Sequence, residues 1–201
     1  MRDSTENRER GFTLVELLIA MTLGLIVLSS LASVFVSQRK TYDAQEQVAE
    51  MVQGARAAMD MISSELKMAG YDPTGADFVG VPYSATQLQI LADIDDDAGT
   101  GSGDGDTGDP HENIIYTYDS ANKQIDRNTG GGAQPFAENI QAFTFQYYDK
   151  DLNTTTTAAD IRQIDITITS RTSKPDPDHS SNGGYRTYTL SSYVTPPNLG
   201  F

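Results

Sequence analysis

Apolar positions follow three regimes along the chain. Residues 1–10 (MRDSTENRER) are polar, and their charges cancel, with Arg2, Arg8 and Arg10 set against Asp3, Glu6 and Glu9. The pattern then changes at once to GFTLVELLIAMTLGLIVLSSLASVFVS, in which the 20 residues from Leu17 to Val36 carry no charge. A helix of that length rises about 30 Å, the thickness of a bilayer's hydrocarbon core. From Ser37 onward the apolar residues become periodic. Val48, Val52, Ala55, Met59, Ile62, Leu66 and Ala69 alternate at spacings of 4 and 3, an apolar stripe on one helical face. Gly70 fits a helix-ending cap, with Pro73 beyond it. No proline interrupts Phe12 to Ala69, so the pattern predicts one helix of 58 residues, about 87 Å long at 1.5 Å per residue. The mixed Ala and Met of the stripe suit packing on the chain's own sheet, with a coiled-coil partner as the alternative.

Beyond Tyr71 the period shortens to two. Gln87 to Leu91, Asn113 to Tyr118, Lys123 to Arg127, Ala142 to Tyr148, Ile161 to Ser170 and Tyr185 to Val194 read as strands. Ile164, Ile166 and Ile168 give the clearest alternation, and Asp119-Ser120-Ala121-Asn122 marks a hairpin turn. One helix followed by strands at hairpin spacing predicts an α+β fold with an antiparallel sheet, the helical stripe forming the second layer of the core. Tyr116, Tyr118, Phe143, Phe145 and Tyr147 then read as core and cross-strand pairs rather than a ligand box. The expected organisation is a polar leader (1–11), an apolar helical half (12–36), an amphipathic half (37–70) and a β-sheet head (71–201).

Composition narrows the chemistry. Among 201 residues, 14 basic and 28 acidic side chains give a net charge of −14, which disfavours nucleic-acid binding. The absence of cysteine removes disulfides, thiolate zinc sites, iron–sulfur clusters and cysteine nucleophiles. There is no phosphate-cradling Gly-Lys-Ser/Thr loop, no Gly-x-Ser-x-Gly elbow and no His-Glu-x-x-His helix. No catalytic centre is expected.

Three readings of the N-terminal segment compete. A cleaved secretory signal should have a shorter apolar region, although Ala32-Ser33-Val34 offers a cleavage site. A plain membrane anchor fits the length, and Arg8 and Arg10 favour a cytoplasmic N-terminus. Neither accounts for Glu16, a carboxylate one turn into the apolar run, where a charge is costly unless paired.

Gly11-Phe12-Thr13-Leu14-Val15-Glu16 resembles the type IV prepilin signal. The resemblance implies that a membrane peptidase cuts after Gly11, that Phe12 becomes the N-terminal residue and is N-methylated, and that Glu16 is the fifth residue of the mature chain. Cleavage frees an amine on Phe12. Within one helix Phe12 and Glu16 are i and i+4; between subunits the Glu16 carboxylate would pair with a neighbour's Phe12 amine and set the stagger of a filament. MISSELKMAGY (Met61 to Tyr71) and the ending Pro196-Pro197-Asn198-Leu199-Gly200 are similar to PilW-like minor pilins. The family's fold, one very long N-terminal helix on an antiparallel β-sheet head, is thereby expected, as is a minor pilin that primes or supports type IV pilus assembly. Implied partners are other minor pilins, the major pilin, the prepilin peptidase and the inner-membrane assembly platform. The implied location is a single inner-membrane span with the head in the periplasm, then the pilus. A type II secretion pseudopilin shares the signal and the helix and stays open.

One loop suggests a metal. Asp93 to Glu112 holds eight carboxylates and five glycines in 20 residues, with no Lys or Arg. Asp93-x-Asp95-x-Asp97 begins like a calcium-binding EF-hand loop. It departs at Gly99, one place late, and at Asp104, where glutamate is expected in the twelfth position. Candidate Ca2+ ligands are Asp93, Asp95, Asp97, Asp104 and Asp106, which would make the head a calcium-dependent adhesive module. The alternative is a solvated acidic loop kept open by its own repulsion.

Overall fold

The computed structural model describes residues 11–96, 99–101 and 103–200. Helix α1 runs Leu14–Leu66, 53 residues without interruption. The chain divides into two compact units, Met1–Gln45 and Glu46–Phe201, so the second half of α1 folds with the strands.

In the second unit, α1 buries Met51, Ala55, Ala58, Met59, Ile62 and Leu66. The predicted stripe named Val48 and Val52, which are only half-buried; Met51 and Ala58 take the inner positions instead. A strict heptad drifts about 20° per seven residues around a straight 3.6-residue helix. A helix lying on its own sheets therefore buries a face that rotates away from that register. Ala58, Met59, Ile62 and Leu66 share one core with both sheets. The helix ends in a tightened turn, with the N–H of Met68 on the Glu65 carbonyl (3.0 Å) and that of Ala69 on Leu66 (3.1 Å). Gly70 follows at φ +74°, the left-handed position that ends a helix best without a Cβ.

Among the described residues seven strands follow, all paired antiparallel. β1 (Gln87–Leu91), β2 (Asn113–Asp119), β3 (Gln124–Asn128) and β4 (Gln134–Glu138) form one sheet in that order. β5 (Ile140–Tyr148), β6 (Gln163–Arg171) and β7 (Thr187–Val194) form a second, with β6 in the middle. The strands thus divide between two sheets, joined where the Ile140 N–H donates to the Lys123 carbonyl (2.8 Å). β4 has no counterpart among the expected strands. It contains Pro135 and lies at a sheet edge, the place in a sheet where proline is tolerated.

The core follows the alternation. Leu88, Ile90, Ile114, Tyr116 and Ile125 are buried from the first sheet, and Phe143, Tyr147, Ile164, Ile166 and Ile168 from the second. Tyr116 meets Phe136 edge-on at 5.3 Å, and Phe143 meets Phe145 at 5.5 Å. The aromatics are core, as expected. A charged group joins helix to sheet. Glu65 receives Arg127 Nη2 at 2.6 Å and the Tyr116 hydroxyl.

Candidate functional site

The N-terminal segment is built by one local motif. Thr13 precedes the first residue of α1, and its Oγ1 accepts from the Glu16 N–H (3.2 Å). Glu16 Oε2 in turn accepts from the Thr13 N–H (2.8 Å) and the Thr13 hydroxyl (2.9 Å). This is a capping box, Ser/Thr-x-x-Glu, which satisfies two helix-end donors reciprocally. The pattern Thr13-x-x-Glu16 before an apolar run signals it, and reading Glu16 only as a partner for Phe12 assigns Thr13 no role. Phe12 lies outside the helix and is 89% exposed. In the uncut chain Phe12 therefore stands outside the helical turn that carries Glu16. Gly11 is exposed, with no atom within 4 Å of a Cβ built on it, so the peptide bond after it is open to approach.

Downstream, the side chains from Leu14 to Val36 are exposed on every face of the helix. Among the described residues α1 is the one helix long and apolar enough to cross a membrane. Its polar side chains are satisfied by its own backbone. Thr22 donates to the Ile19 carbonyl (2.9 Å), Ser29 to Leu25 (2.7 Å), Ser30 to Ile26 (2.9 Å) and Ser33 to Ser29 (3.0 Å). A segment surrounded by hydrocarbon must meet its hydrogen bonds internally.

In the acidic loop the carboxylates accept hydrogen bonds from the loop's own backbone. Asp93 is buried; its carboxylate accepts from the Asp104 N–H (2.9 Å), the Gly105 N–H (3.0 Å) and the Thr74 hydroxyl (3.3 Å). Glu112, also buried, accepts from the N–H groups of Ile94 (2.7 Å), Asp95 (2.9 Å) and Asp109 (3.2 Å). Asp95 accepts from Asp96 and Gly101, Asp104 from Asp106, and Asp106 from Gly108. Gly103 is needed at its place, because a Cβ there would lie 2.3 Å from Asp93 Oδ1. Asp97 lies outside the described residues. Among those described, no three acidic or histidine side chains stand together as a metal-holding group. Asp93, Asp95, Asp104 and Asp106 hold loop N–H groups. Two buried carboxylates, Asp93 and Glu112, thus pin the ends of the loop, a role that composition alone does not reveal.

Nearby, Asp72 accepts from the N–H groups of Gly75, Ala76 and Asp77. Chiefly the Asp77 and Ala76 bonds hold its carboxyl below the usual range.

Residues 7–32 match the family described as prokaryotic N-terminal methylation motif. The N-terminal segment thus carries a prokaryotic methylation motif, and the apolar helix that follows is long enough to anchor the chain in a membrane. Among solved structures the chain is similar to a type IV-like pilin from Thermus thermophilus. The two share 14% identity over 74% of this chain and 98% of that one, with a TM-score of 0.44. No curated protein matches the chain.

Proposed function

We propose that this protein is a PilW-like minor pilin, a non-catalytic subunit cut after Gly11, N-methylated on Phe12 and incorporated in a type IV pilus, where it primes or supports assembly. The methylation motif over residues 7–32 carries the reading. The finer assignment draws support from the two PilW-like segments, which meet in the fold. A Cβ on Gly70, at the end of the helix, would lie 3.0 Å from the Leu199 side chain of the C-terminal segment.

The mechanism rests on the charge at Glu16. In the uncut chain the Thr13 amide and hydroxyl already hold this carboxylate, which lowers the cost of carrying it to the edge of an apolar medium. Cleavage after Gly11 leaves a cationic amine on Phe12. Between packed helices, that amine on one subunit and the Glu16 carboxylate on the next would neutralise each other in surroundings where either alone is heavily penalised. The partners are the peptidase, the assembly platform, the major pilin and other minor pilins.

Intact-mass and N-terminal analysis of the protein from native filaments tests the processing. The expected chain begins at a methylated Phe12; a chain beginning at Met1 or beyond Val36 overturns the reading. Glu16→Ala should insert in the membrane at least as well as the wild type yet be lost from purified filaments. Undiminished incorporation would refute the pairing step.

A further inference from the structure

We propose that Asn153 is an acceptor site for N-linked glycosylation. Of the eight asparagines in the chain, it alone completes the acceptor pattern Asn-x-Ser/Thr, as Asn153-Thr154-Thr155. Asp151, two places before it, also meets the stricter form of the pattern, which adds an acid at that position. A motif this short carries weight only where the folded chain can bear a bulky, solvated group, which means an open loop.

The fold supplies that loop. Asn153 stands in the connection between β5 and β6 and is exposed, as are Asp151, Leu152 and Thr154. One carboxylate builds the turn that presents it. Asp149 Oδ1 accepts from the N–H groups of Asp151 (2.9 Å) and Asn153 (2.9 Å), and the Asp149 N–H donates to the Asn153 carbonyl (2.9 Å). This closure holds Leu152 at φ +61° with its side chain 64% exposed, an uncommon backbone state outside glycine. A sugar on the next residue would cover that apolar tip.

The reacting atom is Asn153 Nδ2, which carries two hydrogens. It donates to Asp149, with Oδ2 at 3.2 Å and Oδ1 at 3.5 Å. A glycosylated amide keeps one hydrogen, so this contact, and the turn it belongs to, survives the modification. The donor is an oligosaccharide carried on a lipid pyrophosphate. The bond from Nδ2 to the sugar C1 forms, the bond from C1 to the pyrophosphate oxygen breaks, and the lipid pyrophosphate leaves with the electron pair. Nδ2 gives one proton to a base of the transferase. In the folded chain the Thr155 N–H donates to the Tyr147 carbonyl (3.1 Å), and its Oγ1 accepts from the Thr157 N–H (3.1 Å). A transferase that reads this hydroxyl therefore engages the segment before these bonds close. The site rests on the export of the head proposed above, not on incorporation in a filament.

The test is peptide mapping and intact-mass analysis of the full chain from membranes of its native host. Trypsin releases Asp151 to Arg162. That peptide should be heavier than its sequence by a whole number of sugar residues, and electron-transfer fragmentation should place the added mass on Asn153. Asn153→Gln and Thr155→Val should lose the modification, whereas Thr155→Ser should keep it, because the pattern requires the hydroxyl and not the methyl group. The proposal is overturned by an unmodified peptide, by sugar attached to any of Thr154 to Thr157, or by modification that persists in Thr155→Val. The intact mass separates this result from the processing. A bare Asn153 on a chain beginning at Phe12 sinks the glycan alone, and a modified Asn153 on a chain beginning at Met1 sinks the processing alone.

Discussion

Replacing Arg127 by methionine isolates a charged cluster that ties the end of α1 to the first sheet. Glu65 and Arg127 side chains are 12% and 20% exposed, and they meet through Nη2–Oε1 at 2.6 Å and Nε–Oε2 at 3.4 Å. Methionine keeps most of the aliphatic stem that Arg127 packs along the sheet and removes only the fork of donors. Glu65 is then left largely buried, with the Tyr116 hydroxyl as its remaining partner. Breaking a fully buried pair costs about 3–5 kcal/mol. A fifth of Arg127 still touches water, so about 2–3 kcal/mol is the better figure here. For a folded unit of this size that lowers the melting temperature by about 4–12 °C. The assay is thermal unfolding of the full chain in detergent at neutral pH, followed by circular dichroism in the strand region. A second variant sharpens the test. Glu65→Gln combined with Arg127→Met removes the uncompensated charge but keeps an acceptor for Tyr116. The double variant should therefore melt above Arg127→Met alone. A single variant melting within about 1 °C of wild type, or a double variant showing the sum of two losses, refutes the idea that charge compensation holds this junction.

Other outcomes follow from the same contacts. Asp119 is held low chiefly by the Asn122 N–H, Asp149 by the Asn153 N–H, Asp176 by Arg186, and Asp72 as described. Depressed carboxyls contribute stability that is present above the unfolded value, about 3.9, and is lost as pH falls through their lower folded values. Carboxyl NMR titration should show these four midpoints below the ordinary range, with stability declining below about pH 4. Burial first, then the Glu65 hydrogen bond, pushes the Tyr116 hydroxyl far up, and burial does the same for Tyr147. Their contribution is whole below the unfolded tyrosine value of about 10 and is lost as pH rises beyond it. Absorbance titration should find two tyrosines that stay protonated after the exposed ones have ionised, until alkaline unfolding releases them. Gly80→Ala would put a Cβ 2.3 Å from the Gly70 nitrogen and 2.8 Å from Leu199. Backbone cannot yield as a side-chain tip does, so a loss of about 2 kcal/mol is expected, and an unchanged melting temperature would contradict the packing.

Periodicity reads most clearly where one face of an element is buried. The isoleucines of β6 alternate because one side meets the core, and α1 shows its stripe for the same reason. The stripe's register was misplaced at Val48 and Val52 because a strict heptad describes a supercoil, while this helix lies on its own sheets. β4 was invisible because its Gln-Pro-Phe-Ala-Glu has neither alternation nor an uninterrupted apolar run; it exists by pairing with β3. The division into two sheets depends on which distant strands pair, which no local pattern records. In the acidic loop, composition shows how many carboxylates there are but not which amides they face. The anchoring roles of Asp93 and Glu112 emerge only when the loop closes. The Thr13–Glu16 cap is the opposite case, a four-residue motif fully legible in the chain and hidden only by the larger question of what Glu16 is for.

The hydroxyls of Thr22, Ser29, Ser30 and Ser33 bear on how this rod changes solvent. Because each is already bonded to a carbonyl one turn behind it, none of these donors has to find a partner outside the helix. In an apolar medium, whether hydrocarbon or packed side chains, the stretch therefore carries no unmet hydroxyl donor.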